Sequence, residues 1–173
     1  MDIFAVGVIL PLLISLYKET QMSSITFGII GSAYGAGQFI SNPLFGRLGD
    51  TWGRKRIFLI SFAGSAISYL LLAFAHNNPY ILLASRTLVG LVKQTITVSQ
   101  ATIGDLATTD ADRVAGLSRI SAAINLGLVV GPAVGSYLQY NFGYSFAVVL
   151  CVVLFMVDFG FVYFVLPEGP PRG

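Results

Sequence analysis

The sequence is poor in the residues that soluble proteins use to cover their surface. Only 10% of its 173 residues are charged, and it holds one cysteine and one histidine. A soluble domain carries about 25% charged residues, so this chain could not cover its surface with polar groups in water. With Cys151 alone, an intrachain disulfide and a cysteine metal site are both excluded. The net charge of +2 gives no support to nucleic-acid binding.

Apolar residues are abundant instead, at 55% of the chain, and they fall into long runs separated by short polar links. A membrane-crossing helix needs about 20 consecutive apolar residues. The pattern therefore predicts an all-α, multi-pass protein embedded in a lipid bilayer, in a membrane that the sequence does not specify. The predicted helices cover residues 25–45, 57–75, 80–103, 120–139 and 144–166, after a shorter apolar run over 3–16.

The first run is too short for a complete span, and it lacks the basic segment and cleavage site of a signal peptide. We expect a first helix whose beginning is missing, in a chain that is a fragment or a shortened isoform. The helical bundle is predicted over residues 1–166. Residues 76–79 are predicted to form a turn, and residues 167–173, rich in proline and glycine, to begin a tail or a central loop.

Residues 46–56 interrupt the apolar sequence with four cations, one carboxylate and three glycines. This composition predicts a short aqueous hairpin, held on the cytoplasmic side by the positive-inside rule. A carboxylate one turn before an arginine can pair with it, which gives the segment a role as a latch. An alternative role is a topological anchor alone. The residues concerned are Gly46, Asp50, Gly53, Arg54, Lys55 and Arg56.

Arg86 and Lys93 lie inside the predicted fourth helix, seven residues apart and on one face, with Gly90 between them. A cation facing lipid costs roughly 2.5 kcal/mol or more. We therefore expect both to face a watery cavity or a carboxylate. The alternative for Arg86 is snorkelling to the outer interface. Lys93 either selects an anionic substrate or forms a structural ion pair.

Other polar or small residues at membrane depth have two interpretations each. Gln38, Gln94 and Asn125, with Lys93, are candidates for the substrate path, or they bond neighbouring helices. Asp158 should face other helices, because a carboxylate is costly in lipid.

Three glycines, Gly127, Gly131 and Gly135, share one helix face, which predicts close helix packing. Pro132 is predicted to bend that helix, so that it seals one side of a cavity. The spacing Pro-x-x-Gly over 43–46 recurs 89 residues later over 132–135. This offset predicts that helices one to three and four to six form a 3+3 inverted repeat.

Four of these segments resemble motifs of the major facilitator superfamily. Residues 46–56 are similar to its loop between helices two and three, and residues 83–90 to its fourth-helix arginine motif around Arg86. Residues 127–136 resemble its antiporter motif, with Ser136 where a glycine is usual. Residues 2–11, from Asp2 to Pro11, resemble the acidic motif of drug–proton antiporters. The chain is most similar to the N-terminal half of the tetracycline–proton antiporter branch and its eukaryotic orphan relatives.

The resemblance implies six helices that form one half of a twelve-helix fold. It implies secondary active transport of a small molecule by proton-coupled antiport, with Asp2 handling the proton and Arg86 tuning it from the same cavity. Asp50 would help to close the cytoplasmic face against a C-terminal half, or against a second copy, that completes the transporter. The resemblance implies no metal or other cofactor.

Two alternatives are facilitated uniport and a half-length product that assembles with a transporter without transporting. Enzyme activity has no support, because the sequence shows no zinc-ligand cluster, Gly-x-Ser-x-Gly motif or phosphate-binding loop.

Overall fold

The structure is a computed structural model that describes residues 1–75 and 78–167. Two residues of the predicted turn, 76–77, and the tail residues 168–173 lie outside this part of the chain. Within it the protein is helical, with seven helices: α1 (Asp2–Glu19), α2 (Ser24–Trp52), α3 (Arg54–Ala73), α4 (Pro79–Val92), α5 (Thr95–Leu106), α6 (Asp110–Phe142) and α7 (Tyr144–Val165). Because α4 and α5 form one apolar run, the seven helices make six segments, numbered in chain order as crossing segments one to six. Four segments of the described chain are long and apolar enough to cross a membrane.

The reversal between α2 and α3 is much shorter than the predicted hairpin. Residues 46–52 are helical, and only Gly53 separates the two helices. Its φ of +89° lies in the left-handed region that favours glycine. Gly49 has a different use, since a Cβ atom there would lie 2.8 Å from the Arg54 guanidinium. The prediction of an aqueous loop over 46–56 is therefore wrong, because one glycine makes the turn and another makes room for an arginine.

The polar stretch before the fifth crossing segment is also helical. The sequence predicts that this helix starts at residue 120, whereas α6 begins at Asp110. Thr109 caps it, since its hydroxyl accepts a hydrogen bond from the Asp112 backbone N–H at 3.1 Å. Asp110 and Asp112 lie in the first turn, where the helix dipole favours carboxylates. These local features extend the helix beyond its apolar part.

The main helix contacts have the symmetry of an inverted repeat. The most extensive are α1 with α6, α3 with α7, and α2 with α4. If crossing segments one to three exchange with four to six, the α1–α6 contact maps onto α2–α4, and α3–α7 maps onto itself. The lesser contacts α1–α7 and α3–α4 exchange in the same way. This arrangement agrees with the predicted 3+3 repeat.

Glycines permit the closest of these contacts. In α6, Gly127, Gly131 and Gly135 are the buried residues, and all three face α1. A Cβ atom on Gly131 would lie 2.6 Å from the Gly7 Cα atom. Close packing of this glycine face is thus confirmed. The equivalent contact between α2 and α4 also places backbone against backbone, because a Cβ atom on Gly90 would lie 2.5 Å from the Tyr34 carbonyl oxygen.

Candidate functional site: a buried ion pair at a broken helix

The fourth crossing segment is interrupted where it carries its deepest cation. The prediction of one continuous helix over 80–103 is wrong, because α4 ends at Val92 and α5 begins at Thr95. Ser61 of α3 satisfies the backbone groups at the break. Its hydroxyl donates to the Val92 carbonyl and accepts from the Gln94 N–H, both at 2.6 Å. Broken helices occur at membrane depth only where such partners, or a cavity, are present.

Gln94 belongs to the same network rather than to an open path. Its side chain is buried, and Nε2 donates to the Ser41 hydroxyl of α2 at 2.6 Å. Ser41 in turn donates to the Gly90 carbonyl at 3.3 Å. Ser41 and Ser61 were not predicted as part of the site. Their only signal was a hydroxyl within an apolar helix.

The break places Lys93 against Asp2 of α1. The Lys93 ammonium donates to Asp2 Oδ1, and the two side chains are only 4% and 8% exposed. Of the two interpretations of Lys93, the ion pair is therefore present in this structure. The second carboxylate oxygen, Asp2 Oδ2, is buried and has no hydrogen-bond partner in the part of the chain that the structure describes. The pair thus leaves one acceptor available.

Two aromatic rings connect this pair to Arg86. The Lys93 ammonium lies 5.0 Å from the centre of the Phe155 ring, which stacks on Tyr69 at 4.9 Å. The Arg86 guanidinium lies 5.4 Å from the Tyr69 ring centre, a cation–π contact. Arg86 is 7% exposed, so it is buried in the bundle rather than extended toward an interface. A chain of contacts runs from Asp2 to Arg86 through Lys93 and the rings of Phe155 and Tyr69. The functional coupling of Asp2 to Arg86 stays a prediction.

A cavity of about 280 Å³ opens beside the ion pair. Lys93 and Gln38 both line it, and Gln38 donates to the Tyr34 hydroxyl at 2.9 Å. Their place on a substrate path stays a prediction. Asn125 lies instead on an exposed part of α6. Asp2 lines a second cavity of about 480 Å³, whose other walls come from α1, α5 and α6. Both members of the ion pair therefore adjoin space that a small molecule or water can enter.

A second charged cluster lies at the end of the bundle that carries Arg54, Lys55 and Arg56, which we call the basic end. Arg54 Nη2 is 2.6 Å from Asp50 Oδ1, which confirms that these residues pair. Arg54 Nε also contacts Asp105 Oδ2 at 3.2 Å, a partner that the sequence did not single out. Arg54 thus joins the adjacent ends of α2, α3 and α5. The Lys55 ammonium lies 5.6 Å from the centre of the Tyr163 ring of α7.

Together these features define a polytopic helical membrane protein built as an inverted repeat, with an ionised site inside the bundle. Comparison with known families identifies the particular group. The family model described as the Major Facilitator Superfamily matches residues 1–173. This chain belongs to that superfamily of transporters.

Individual relatives agree with this assignment. The chain is 36% identical over 172 residues to major facilitator superfamily domain-containing protein 10 of Bos taurus, covering 98% of this chain and 35% of the relative. It is 32% identical over 168 residues to the class D tetracycline resistance protein of Salmonella ordonez, covering 95% and 42%. The crystal structure of the human organic anion transporter MFSD10 (TETRAN) matches with a TM-score of 0.86 and 26% identity, covering 99% and 46%. The chain thus spans less than half the length of these relatives.

Proposed function

We propose that this chain forms the N-terminal half of a secondary active transporter that moves a small molecule by proton-coupled antiport. The observation that carries the proposal is the buried Lys93–Asp2 pair at a broken helix, beside a cavity that Lys93 lines. Ionisable groups at such depth are costly, so they favour a function that uses their charge. The similarity to tetracycline resistance proteins supports transport as that function.

Asp2 is the proposed proton site. Its Oδ2 atom has no partner in the described chain and lies beside a cavity, so it can accept a proton or a donor group of the substrate. A substrate that binds Asp2 through a cation or a hydrogen-bond donor competes with the proton. This competition produces antiport. Arg86 would tune the site through its positive charge.

A second candidate is coupled transport of an anion and a proton in the same direction. An anion bound to Lys93 would displace Asp2, and Asp2 would then take up a proton to avoid a buried unpaired charge. Anion and proton would bind together. The Lys93 ammonium in the wall of the 280 Å³ cavity favours this candidate, as does the similarity to a human organic anion transporter.

The complete passage would require a second six-helix half, from the remainder of a longer protein or from a second copy. In support, α2 and α6 expose large apolar side chains such as Phe39, Leu126 and Val129. Residues 1–166 would form one half, and 167–173 would begin the connection to the other. In this proposal Arg54, Asp50 and Asp105 hold the basic end closed, and the α6 glycine face around Pro132 seals the bundle.

Proton movement in proteoliposomes tests these possibilities. The chain, together with the second half that completes the passage, would be reconstituted with a pH-sensitive dye inside the vesicles, and candidate cations and organic anions would be added outside. Antiport predicts that protons leave as substrate enters, so the lumen becomes more alkaline than the exterior. Coupled entry predicts that the lumen becomes more acidic. Asp2→Asn should abolish the proton movement in either case. Substrate uptake with no change of pH in either compartment would contradict both and indicate uniport.

Cross-linking tests the requirement for a second half. Single cysteines at Phe39 and Val129, introduced into a Cys151→Ser background, should give cross-linked products in native membranes. A species of uniform monomer mass that still transports would contradict the requirement.

A further inference from the structure

We propose that Asp158 of α7 is a second proton-binding carboxylate of this site and the alternative partner of Lys93. The inference rests on the proposed function in one respect, since it takes the Lys93–Asp2 pair to be proton-coupled. The inference adds a residue from α7 to the site, and a direction along which a proton can move.

The position of Asp158 follows from the contact between Lys93 and Phe155. The Lys93 ammonium lies 5.0 Å from the Phe155 ring centre. Asp158 follows Phe155 by three residues, so the two share one face of α7, with their Cβ atoms roughly 5–6 Å apart. Lys93 thus lies between Asp2 of α1 and the face of α7 that bears Asp158. A lysine side chain is long and flexible enough to serve either neighbour.

Asp158 also lies nearer the basic end than Lys93 does. Further along α7, Tyr163 contacts Lys55 at the start of α3. Asp158 falls between Phe155 and Tyr163, so it is on the path from the ion pair to the end that carries Arg54, Lys55 and Arg56. Along α7, Asp158 is therefore closer than the ion pair of Asp2 to the aqueous side at the basic end.

The environment of Asp158 favours a carboxylate that binds a proton. Its Oδ2 atom is buried and has no hydrogen-bond partner in the part of the chain described, within an otherwise apolar helix. The charged groups that act on it are the Met1 amino group and Asp2 from α1, and Lys93 from the helix break. On α3, Tyr69 stacks on Phe155. On α6, residues 120–136 carry no ionisable side chain. An unpaired carboxylate in such surroundings takes up a proton rather than stay charged.

Two states of the three residues then have the same net charge. In the first, Asp2 is ionised and paired with Lys93, and Asp158 holds the proton. In the second, Asp2 holds a proton taken from one side of the membrane. Asp158 has released its own to water at the basic end and pairs with Lys93. One proton and one ion pair are present in each state, so Lys93 never loses a counterion and no buried charge is left alone.

Infrared spectroscopy of the full chain in lipid tests the assignment directly. A buried protonated aspartic acid gives a carbonyl stretching band that is absent from the ionised form. At neutral pH the wild type should show this band, and Asp158→Asn should lose it. Asp2→Asn mimics a protonated Asp2, so Asp158 should ionise to pair with Lys93 and the band should be lost in that variant too. Asp50→Asn, a matched change of an exposed carboxylate at the basic end, should leave the band unchanged.

Persistence of the band at full intensity in a folded Asp158→Asn variant would overturn the proposal. If that variant does not fold, Asp158→Glu provides the test, because a glutamic acid band should appear at a shifted frequency. An unshifted band would equally overturn it. The infrared band does not depend on transport. If no protons moved in proteoliposomes, the proposed function would be contradicted, but the assignment of the band to Asp158 would stand.

Discussion

The molecule contains two ion pairs of similar chemistry in very different surroundings. Lys93 and Asp2 meet inside the bundle, where their side chains are 4% and 8% exposed. Arg54 and Asp50 meet at the basic end, where theirs are 19% and 56% exposed. The first pair joins residues 91 positions apart, whereas the second joins neighbouring turns. The same type of contact therefore connects distant helices in one place and reinforces a local turn in the other.

The surroundings determine what each pair can do. An ion pair exposed to water is screened, and its charged groups are readily solvated. Such a pair stabilises the fold little and can open at low cost. Inside the bundle each charge depends on the other, because the loss of either leaves a buried unpaired group. A site of the second kind responds strongly to a proton or a competing ion. The variants below measure that difference, from the largest expected effect to the smallest.

Lys93→Met should have the largest effect on stability. The change keeps an apolar chain of similar length but leaves the Asp2 carboxylate without its cation. We expect a loss of about 3–5 kcal/mol in the free energy of unfolding, measured by equilibrium unfolding in mixed micelles. The double variant Lys93→Met with Asp2→Asn should recover most of the loss. A single variant as stable as the wild type would show that the pair is not formed in the membrane.

Ser61→Ala should have an intermediate effect, because it acts on the helix break rather than on the charges. It removes the hydroxyl that joins the Val92 carbonyl to the Gln94 N–H. Leaving these buried groups unsatisfied should cost about 1–3 kcal/mol. Backbone hydrogen exchange should also become faster at Gln94.

Ser68→Ala is a matched control for this change. The Ser68 hydroxyl is also in α3 but donates to the Gly64 carbonyl of its own helix. Equal losses for the two variants would contradict a special role for Ser61 at the break.

Much of the fold could be predicted from the sequence, because membrane spans depend on composition over long windows. Arg86 and Lys93 were also visible, since cations are costly in an apolar helix wherever they point. Asp2 was singled out by the resemblance of residues 2–11 to a family motif. Likewise, the spacing of Gly127, Gly131 and Gly135 predicted a closely packed face, because a four-residue repeat always lies on one side of a helix.

The partners and the breaks could not be predicted, because they depend on other helices. No proline or pair of glycines marks the interruption at Lys93, whose backbone groups are satisfied by Ser61 from α3. Nothing in the sequence singles out Phe155 from 13 phenylalanines as the ring beneath Lys93. The hairpin prediction also failed. Residues 46–52 contain turn-forming glycines, but they are helical, and the chain reverses only at Gly53, whose φ is +89°.

Arg54→Gln tests the exposed side of the comparison. It removes the contacts with Asp50 and Asp105, yet we expect a loss of no more than about 1 kcal/mol, because solvent compensates exposed carboxylates. The loss should shrink as salt is raised, since salt screens exposed charges. The loss for Lys93→Met should hardly change with salt. A similar salt dependence for both variants would contradict the difference in burial.

Lys55→Met is the smallest change and the matched control for Lys93→Met, because the same substitution is made at the basic end. Lys55 contacts one aromatic ring, that of Tyr163, which is 55% exposed. Loss of an exposed cation–π contact should cost about 0.5 kcal/mol. Measured in the same micelles, the two lysine variants compare the loss of a buried ion pair with the loss of an exposed cation–π contact. If Lys55→Met cost as much as Lys93→Met, the loss would come from removing any cation from the bundle, and the internal site would have no separate energetic character.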